Sequence, residues 1–310
     1  MVAARAFPPD SAKHRDAPHR SDARHRTGER PDAPSPECGR RQAMTFPAYI
    51  TTSWDDGHPL DHRVAALLSK YRLEGTFYVP ATTSDRPTMS AKQLRELSKS
   101  FEIGAHTLNH VDLTSVTTET ASREIADSKS WIEDSTGVRC ECFCPPIGRY
   151  RKEHVHMVQR AGYIGLRTVE LLAIDFPRSL AGLLHIPTTV QAFPHRRAAL
   201  ARNVIKRMAF GNLWRYIRHG RTADWPALAE SLLSQVVARG GVFHLWGHSW
   251  ELEELDQWQR LESVLRLMGQ FARQAPAVSN GQLCRLPMPP VAASGQTVPA
   301  AEAAAAGGRR

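Results

Sequence analysis

Two adjacent carboxylates, Asp55 and Asp56 in "WDDG", and two imidazoles four positions apart, His106 and His110 in "HTLNH", are residue types that hold and exploit a divalent cation. On a helical turn, residues i and i+4 share one face with β-carbons about 5–6 Å apart, which lets two imidazoles reach one ion. A carboxylate from "WDDG" completes an Asp-His-His set, the three-ligand arrangement of a catalytic site with a position open for water. Successive residues at a strand end point in different directions, so one Asp faces the metal and its neighbour serves as general base on the activated water. Gly57 lets the backbone turn tightly beside them. "WGHSWE" adds a further imidazole, His248. "DDG" alone equally describes a turn, and H-x-x-x-H alone is a weak signal. Their order, at the ends of successive strand-like runs, is what gives them meaning.

Such residues converge only if several strand ends meet, and the surrounding text has that pattern. Strands are predicted at 49–54, 75–79, 101–106, 140–144, 163–169, 183–190 and 241–248. Helices are predicted between and after them, at 62–72 with Asp61 as N-cap, 91–100 after Ser90, 119–135, 151–161, 227–239 after Pro226, and 253–274. Seven β/α units without a visible repeat favour a parallel sheet or barrel, where chemistry gathers at the C-terminal strand ends. His244 and Trp246 share parity with His248 and are expected deeper on the same face, as core or supporting residues. Trp246 and Trp250 are candidate flat surfaces for a sugar ring, with packing as the plainer role.

The composition belongs to an ordinary globular chain: 42% hydrophobic and 23% charged residues, and no apolar run approaching the ~18 residues of a membrane span. The net charge of +9 is spread along the chain without a zinc-finger or RNA-binding signature, so no nucleic-acid partner is expected. Cys140, Cys142 and Cys144 alternate in "CECFC", a spacing poor for disulfides and unlike C-x-x-C metal or redox pairs, which suggests a reducing compartment. Residues 1–43, rich in Arg, His, Pro and Asp, read as a disordered extension, 44–285 as the folded domain and 286–310 as a low-complexity tail. No secretory signal or transmembrane segment is recognised, so a cytoplasmic location is expected. The stretch 191–221 holds eight Lys and Arg residues at apolar-helix spacing, a candidate peripheral contact with anionic lipid.

"TTSWDDG", "HTLNH", "FCPPIG" and "FHLWGHSWE" together resemble the successive motifs of the polysaccharide deacetylases, the NodB-homology group of carbohydrate esterases (family 4), over about residues 45–270. The resemblance implies a distorted (β/α)7 barrel and metal-dependent hydrolysis of acyl groups on sugars. It makes Asp55 the base, Asp56, His106 and His110 the metal ligands, and His248 the general acid. It also puts the backbone N–H of Ile147 at the developing oxyanion, and Pro146, Arg149, Tyr150 and Trp246 around the substrate. The ligand set suits zinc, and also cobalt, nickel or iron. Many family members have an Arg before the paired prolines that orients the base; this chain has Cys144, with Arg149 as the nearest substitute. A further Asp-containing motif is unclear, Asp175 being its nearest candidate. The expected activity is removal of an acetyl group from an N-acetylated carbohydrate or sugar precursor. The alternatives are a deformylase on a nucleotide- or lipid-linked sugar and a non-catalytic carbohydrate-binding descendant.

Overall fold

The computed structural model describes residues 47–195 and 224–287, together with Gly211, Asn212, Trp214, Ile217 and Thr222. The expected extension 1–43, most of the basic stretch 191–221 and nearly all of the tail 286–310 lie outside the described residues.

One nine-stranded sheet organises the domain: β1 (Ala48–Asp55), β2 (Thr76–Val79), β3 (Glu102–Ala105), β4 (Cys142–Phe143), β5 (Gly165–Arg167), β6 (Arg178–Leu180), β7 (Leu183–Ile186), β8 (Val190–Gln191) and β9 (Gly241–Gly247). Its order is β6-β7-β5-β4-β3-β2-β1-β9-β8, and every neighbouring pair is parallel except β6 with β7. Short strands alternate with helices because most strands are buried on both faces and need cover on each, the exposed β6 being the exception. β1 shows the pattern, with Ile50, Thr51, Thr52, Ser53 and Trp54 all fully buried. The predicted strand 183–190 is interrupted at Pro187, which has no N–H to continue a ladder. Before the proline the chain pairs with β5, and after it, as β8, with β9. The sheet therefore curls, in keeping with a distorted (β/α)7 barrel, and the ends of β1, β3, β5 and β9 face a common region.

The helices are α1 (Asp61–Lys70), α2 (Ala91–Leu97), α3 (Thr118–Thr136), α4 (Lys152–Arg160), α5 (Trp225–Arg239), α6 (Ser249–Glu254), α7 (Trp258–Phe271) and α8 (Asn280–Arg285). Ser90 caps α2 in a full capping box, as its sequence position suggests. Asp61, expected as the N-cap of α1, is instead its first helical residue, with Leu60 in the cap position. Its side chain is fully buried, and burial pushes the carboxyl well above the ordinary range. The single helix predicted at 253–274 is two, because Asp256 takes a left-handed conformation (φ 50°) between α6 and α7. α7 buries Trp258, Leu261, Val264, Leu265 and Met268, one stripe at helical spacing, each worth about 1.5–3 kcal/mol of apolar burial.

β6 and α8 were not predicted. α8 closes the end of the sheet away from the chemistry. Asn280 donates to Thr51 and accepts from the Tyr78 hydroxyl, while Glu102 accepts from Thr76 and the N–H of Gly281. Four cysteines, 140, 142, 144 and 284, are buried free thiols. No helix among the described residues is long and apolar enough to cross a membrane.

Candidate active site

β1 ends on Asp55, and the chain turns at once: Asp56 (φ 77°) and Gly57 (φ 60°) are both left-handed. That turn aims the two carboxylates differently. A β-carbon at residue 57 would lie 2.5 Å from a Val79 methyl, so the turn requires glycine both for its φ and for its space.

His106 follows β3, but the segment to His110 is a loop with left-handed residues at Thr107 (φ 58°) and His110 (φ 53°), not the helical turn expected from the spacing. Glu124 of α3 pins that loop by accepting from the N–H and the side-chain amide of Asn109 at 2.9 and 2.7 Å. The two imidazoles end 5.0 Å apart, centroid to centroid. Asp56 Oδ1 lies 3.4 Å from His106 Nε2 and 3.1 Å from His110 Nε2, and ligating atoms of all three residues fall within 4.8 Å of one another.

These three residues fit a cation. His106 Nδ1 is 2.7 Å from the carbonyl oxygen of Cys144, which can only accept, so Nδ1 carries the proton and Nε2 presents a lone pair. That lone pair points at a carboxylate oxygen, another acceptor, and such a pair is stable only with positive charge between them. Burial pushes Asp56 toward protonation, but the imidazoles of His106 and His110 and the charge of His248 outweigh it and hold the carboxyl far below the ordinary range. A second trio, Asp55, His106 and Cys144, is equally close but does not suit a metal. The Arg167 guanidinium already occupies Asp55, and burial pushes the Cys144 thiol well above its usual value.

Arg167, at the end of β5, donates its Nη2 to both oxygens of Asp55, and both partners are buried. Burial opposes its charge, and the Asp55 carboxylate more than restores it. The guanidinium packs between the rings of Trp246 (4.7 Å) and Tyr78 (5.3 Å). Sequence reasoning missed this residue. A lone charge within the apolar run "YIGLRTV" was the available signal. Arg149, the expected substitute, is largely exposed and pairs with Asp112 at 3.0 Å.

His248 follows β9. Its Nε2 sits 3.9 Å from Asp55 Oδ2 and 4.0 Å from Asp56 Oδ2, while Nδ1 donates to Glu251 at 2.7 Å. Burial disfavours its charge, but Glu251 and then both aspartates prevail and push the imidazole up to about 9. Glu251, three residues on and one turn into α6, also went unnoticed in the sequence; Gln191 donates to it at 3.2 Å. Asp175 lies elsewhere, half-exposed and 3.8 Å from Arg178.

Pro146 is buried, and Ile147 is 63% exposed with a left-handed backbone (φ 59°), unusual for a β-branched residue. Tyr150 is half-buried, its ring centroid 6.5 Å from that of His185. Trp246 is buried beside His248, ring centroids 5.6 Å apart, so its face meets Arg167 and not solvent. His244, one turn of the pleat deeper, donates Nδ1–H to the Pro187 carbonyl and accepts from the Ser53 hydroxyl, both at 2.9 Å. Asp55, Asp56, His106, His110 and His248 therefore converge, with Pro146, Ile147, Arg149 and Tyr150 on the segment that follows β4.

An Asp-His-His cluster and a paired Asp lie at the C-terminal mouth of a curled β/α sheet, the arrangement the NodB resemblance implies. Residues 45–166 match the polysaccharide deacetylase family model, over the part of the chain that carries Asp55, Asp56, His106 and His110. YxkH of Bacillus subtilis is 25% identical over 132 residues, 42% of this chain and 44% of that one. The peptidoglycan-N-acetylglucosamine deacetylase PgdA of Listeria monocytogenes is 25% identical over 123 residues, 40% of this chain and 25% of that one. The chain thus spans less than half the length of these curated relatives. Among solved structures, a family 4 acetyl xylan esterase from Clostridium thermocellum in complex with cobalt aligns with 17% identity over 76% of this chain and 89% of that one, at a TM-score of 0.47. A family 4 pseudoenzyme from Bacillus anthracis aligns with 14% identity over 77% and 66%, also at 0.47.

Proposed function

We propose that this protein is a divalent-metal-dependent hydrolase that removes an N-acetyl group from an N-acetylated carbohydrate. The observation that carries the reading is the convergence of Asp56, His106 and His110 on one point, flanked by Asp55 on its Arg167 support and by His248 on its Glu251 support. Asp56, His106 and His110 would hold the ion, zinc being the first candidate and cobalt, nickel or iron suiting the same donors. Such an ion, when bound, supplies Lewis-acid polarisation of an acyl carbonyl and makes a water more acidic.

The chain's own groups divide the proton transfers. Asp55 is the base: Arg167 fixes the orientation of both its oxygens, Oδ2 lies 3.9 Å from His248 Nε2, and the carboxylate accepts the proton of the attacking water. Negative charge that develops on the acyl oxygen is met by the N–H of Ile147, a role supported by its left-handed backbone on the segment that follows β4. His248, held protonated with Nδ1 on Glu251, turns Nε2 toward the same space and donates to the departing amine. Burial of the paired prolines and of Trp246 limits water around these groups.

Acetate and formate release from a panel of N-acylated sugars, with and without chelator, tests this reading. Acetate release that stops on chelation and returns with added metal is expected, and Asp55→Asn should abolish release while retaining metal. Release that persists at full rate in chelated protein would remove metal dependence.

A further inference from the structure

Asp56 uses only one oxygen toward the two imidazoles. The other, Oδ2, accepts a hydrogen bond of 2.9 Å from Nε1 of Trp250, the second residue of α6. Trp250 is separated from Asp56 by nearly two hundred positions in sequence, and the contact exists because β1 and β9 are adjacent and parallel, so their exits lie side by side. The indole is itself held. The Arg86 guanidinium lies 3.5 Å over its ring centroid and is tied to Asp85, and the His248 ring lies 5.3 Å away. The tryptophan has its polar edge turned to Asp56 and its face covered by a cation. It is built as a support, not as an open platform for a sugar ring.

We infer that Trp250 is a positioning residue for the cation site: its N–H fixes Asp56 as a one-oxygen ligand, and Arg86 holds the indole in the plane that makes this possible. The inference rests on the assignment of Asp56, His106 and His110 to a divalent ion. A carboxylate with one oxygen engaged by a fixed donor cannot swing to present both oxygens, and its remaining oxygen stays aimed between His106 and His110. Partners of this kind set metal affinity by about 10–100-fold when removed. A cation stacked on an indole also strengthens the N–H as a donor, because it draws electron density from the ring.

The test is calorimetric titration of metal-free protein with Zn²⁺ for the native chain, Trp250→Phe, Arg86→Met and His110→Ala. Trp250→Phe keeps the ring and loses the donor, and it should weaken Zn²⁺ binding about 10–100-fold with an unchanged thermal midpoint of the metal-free form. Arg86→Met leaves the indole in place and should weaken binding a few-fold. Affinity within twofold of native in Trp250→Phe, with His110→Ala impaired, overturns the inference and leaves the metal site standing. Native affinity in His110→Ala overturns the site assignment itself. Should Trp250→Phe fail to fold, Arg86→Met decides: unchanged affinity there overturns the inference.

Discussion

His244 and His248 lie four residues apart along one strand and its exit, yet they titrate on opposite sides of neutrality. His244 is pushed down to about 3, by burial first and then by the Arg167 charge. His248 is also opposed by burial, but Glu251, Asp56 and Asp55 carry it up to about 9. Both donate Nδ1–H, one to a backbone carbonyl and one to a carboxylate, and the sign of the neighbouring charge makes the difference. Arg167 and Asp55 form the boundary: the imidazole on the guanidinium side is a neutral structural post, and the one on the carboxylate side carries charge, as the proposed acid requires.

The boundary can be broken from either side. The largest effect is expected for His248→Gln, which removes the acid and should lower kcat by about 10²–10⁴-fold in an acetate-release assay without loss of metal. Next is Arg167→Met, which leaves Asp55 buried without its partner. A loss of about 3–5 kcal/mol in denaturant unfolding is expected, and the His244 resonance should titrate at higher pH once its cationic neighbour is gone. The third concerns stability against pH in the metal-free protein. His248, raised from 6.5 to about 9, contributes stability that is present below 6.5 and lost as pH rises through 9; His244, lowered from 6.5 to about 3, contributes stability that is lost as pH falls through 3. At ~1.4 kcal/mol per unit, each limb spans a few kcal/mol, with the maximum near pH 6.5. A flat stability profile from pH 6 to 9 would contradict the assignment for His248. The smallest effect is Glu251→Gln, which should cost about tenfold in kcat, in the 1.4 kcal/mol range of one hydrogen bond to a charged group, and move the alkaline limb of the rate profile to lower pH.

Much of this arrangement was legible in the sequence, and the omissions have a common cause. Asp55, Asp56, His106, His110 and His248 follow directly from strand ends, because a strand exit leaves few directions for the next side chain. The seven strand-like runs were legible for the same reason, as apolar runs with helix caps between them, although the run 183–190 is two strands, β7 and β8. Arg167 and Glu251 were not, because their roles depend on which strand lies beside which. Arg167 meets Asp55 only after β5, β7 and β8 have carried the curl round to β9, and no local pattern encodes that closure. Spacing also misled once. His106 and His110 at i and i+4 suggested a helical turn, whereas left-handed residues at 107 and 110 bring the imidazoles together in a loop held by Glu124. The Cys144 substitution drew attention to neighbouring Arg149, although the guanidinium that serves Asp55 enters from another strand.

Left-handed backbone at Asp56, Thr107, His110 and Ile147 sets an evolutionary tension. Each such residue costs roughly 1–3 kcal/mol of fold stability to maintain. A library selected for heat tolerance alone should accumulate glycine or asparagine at these four codons, and its survivors should melt later and turn over more slowly.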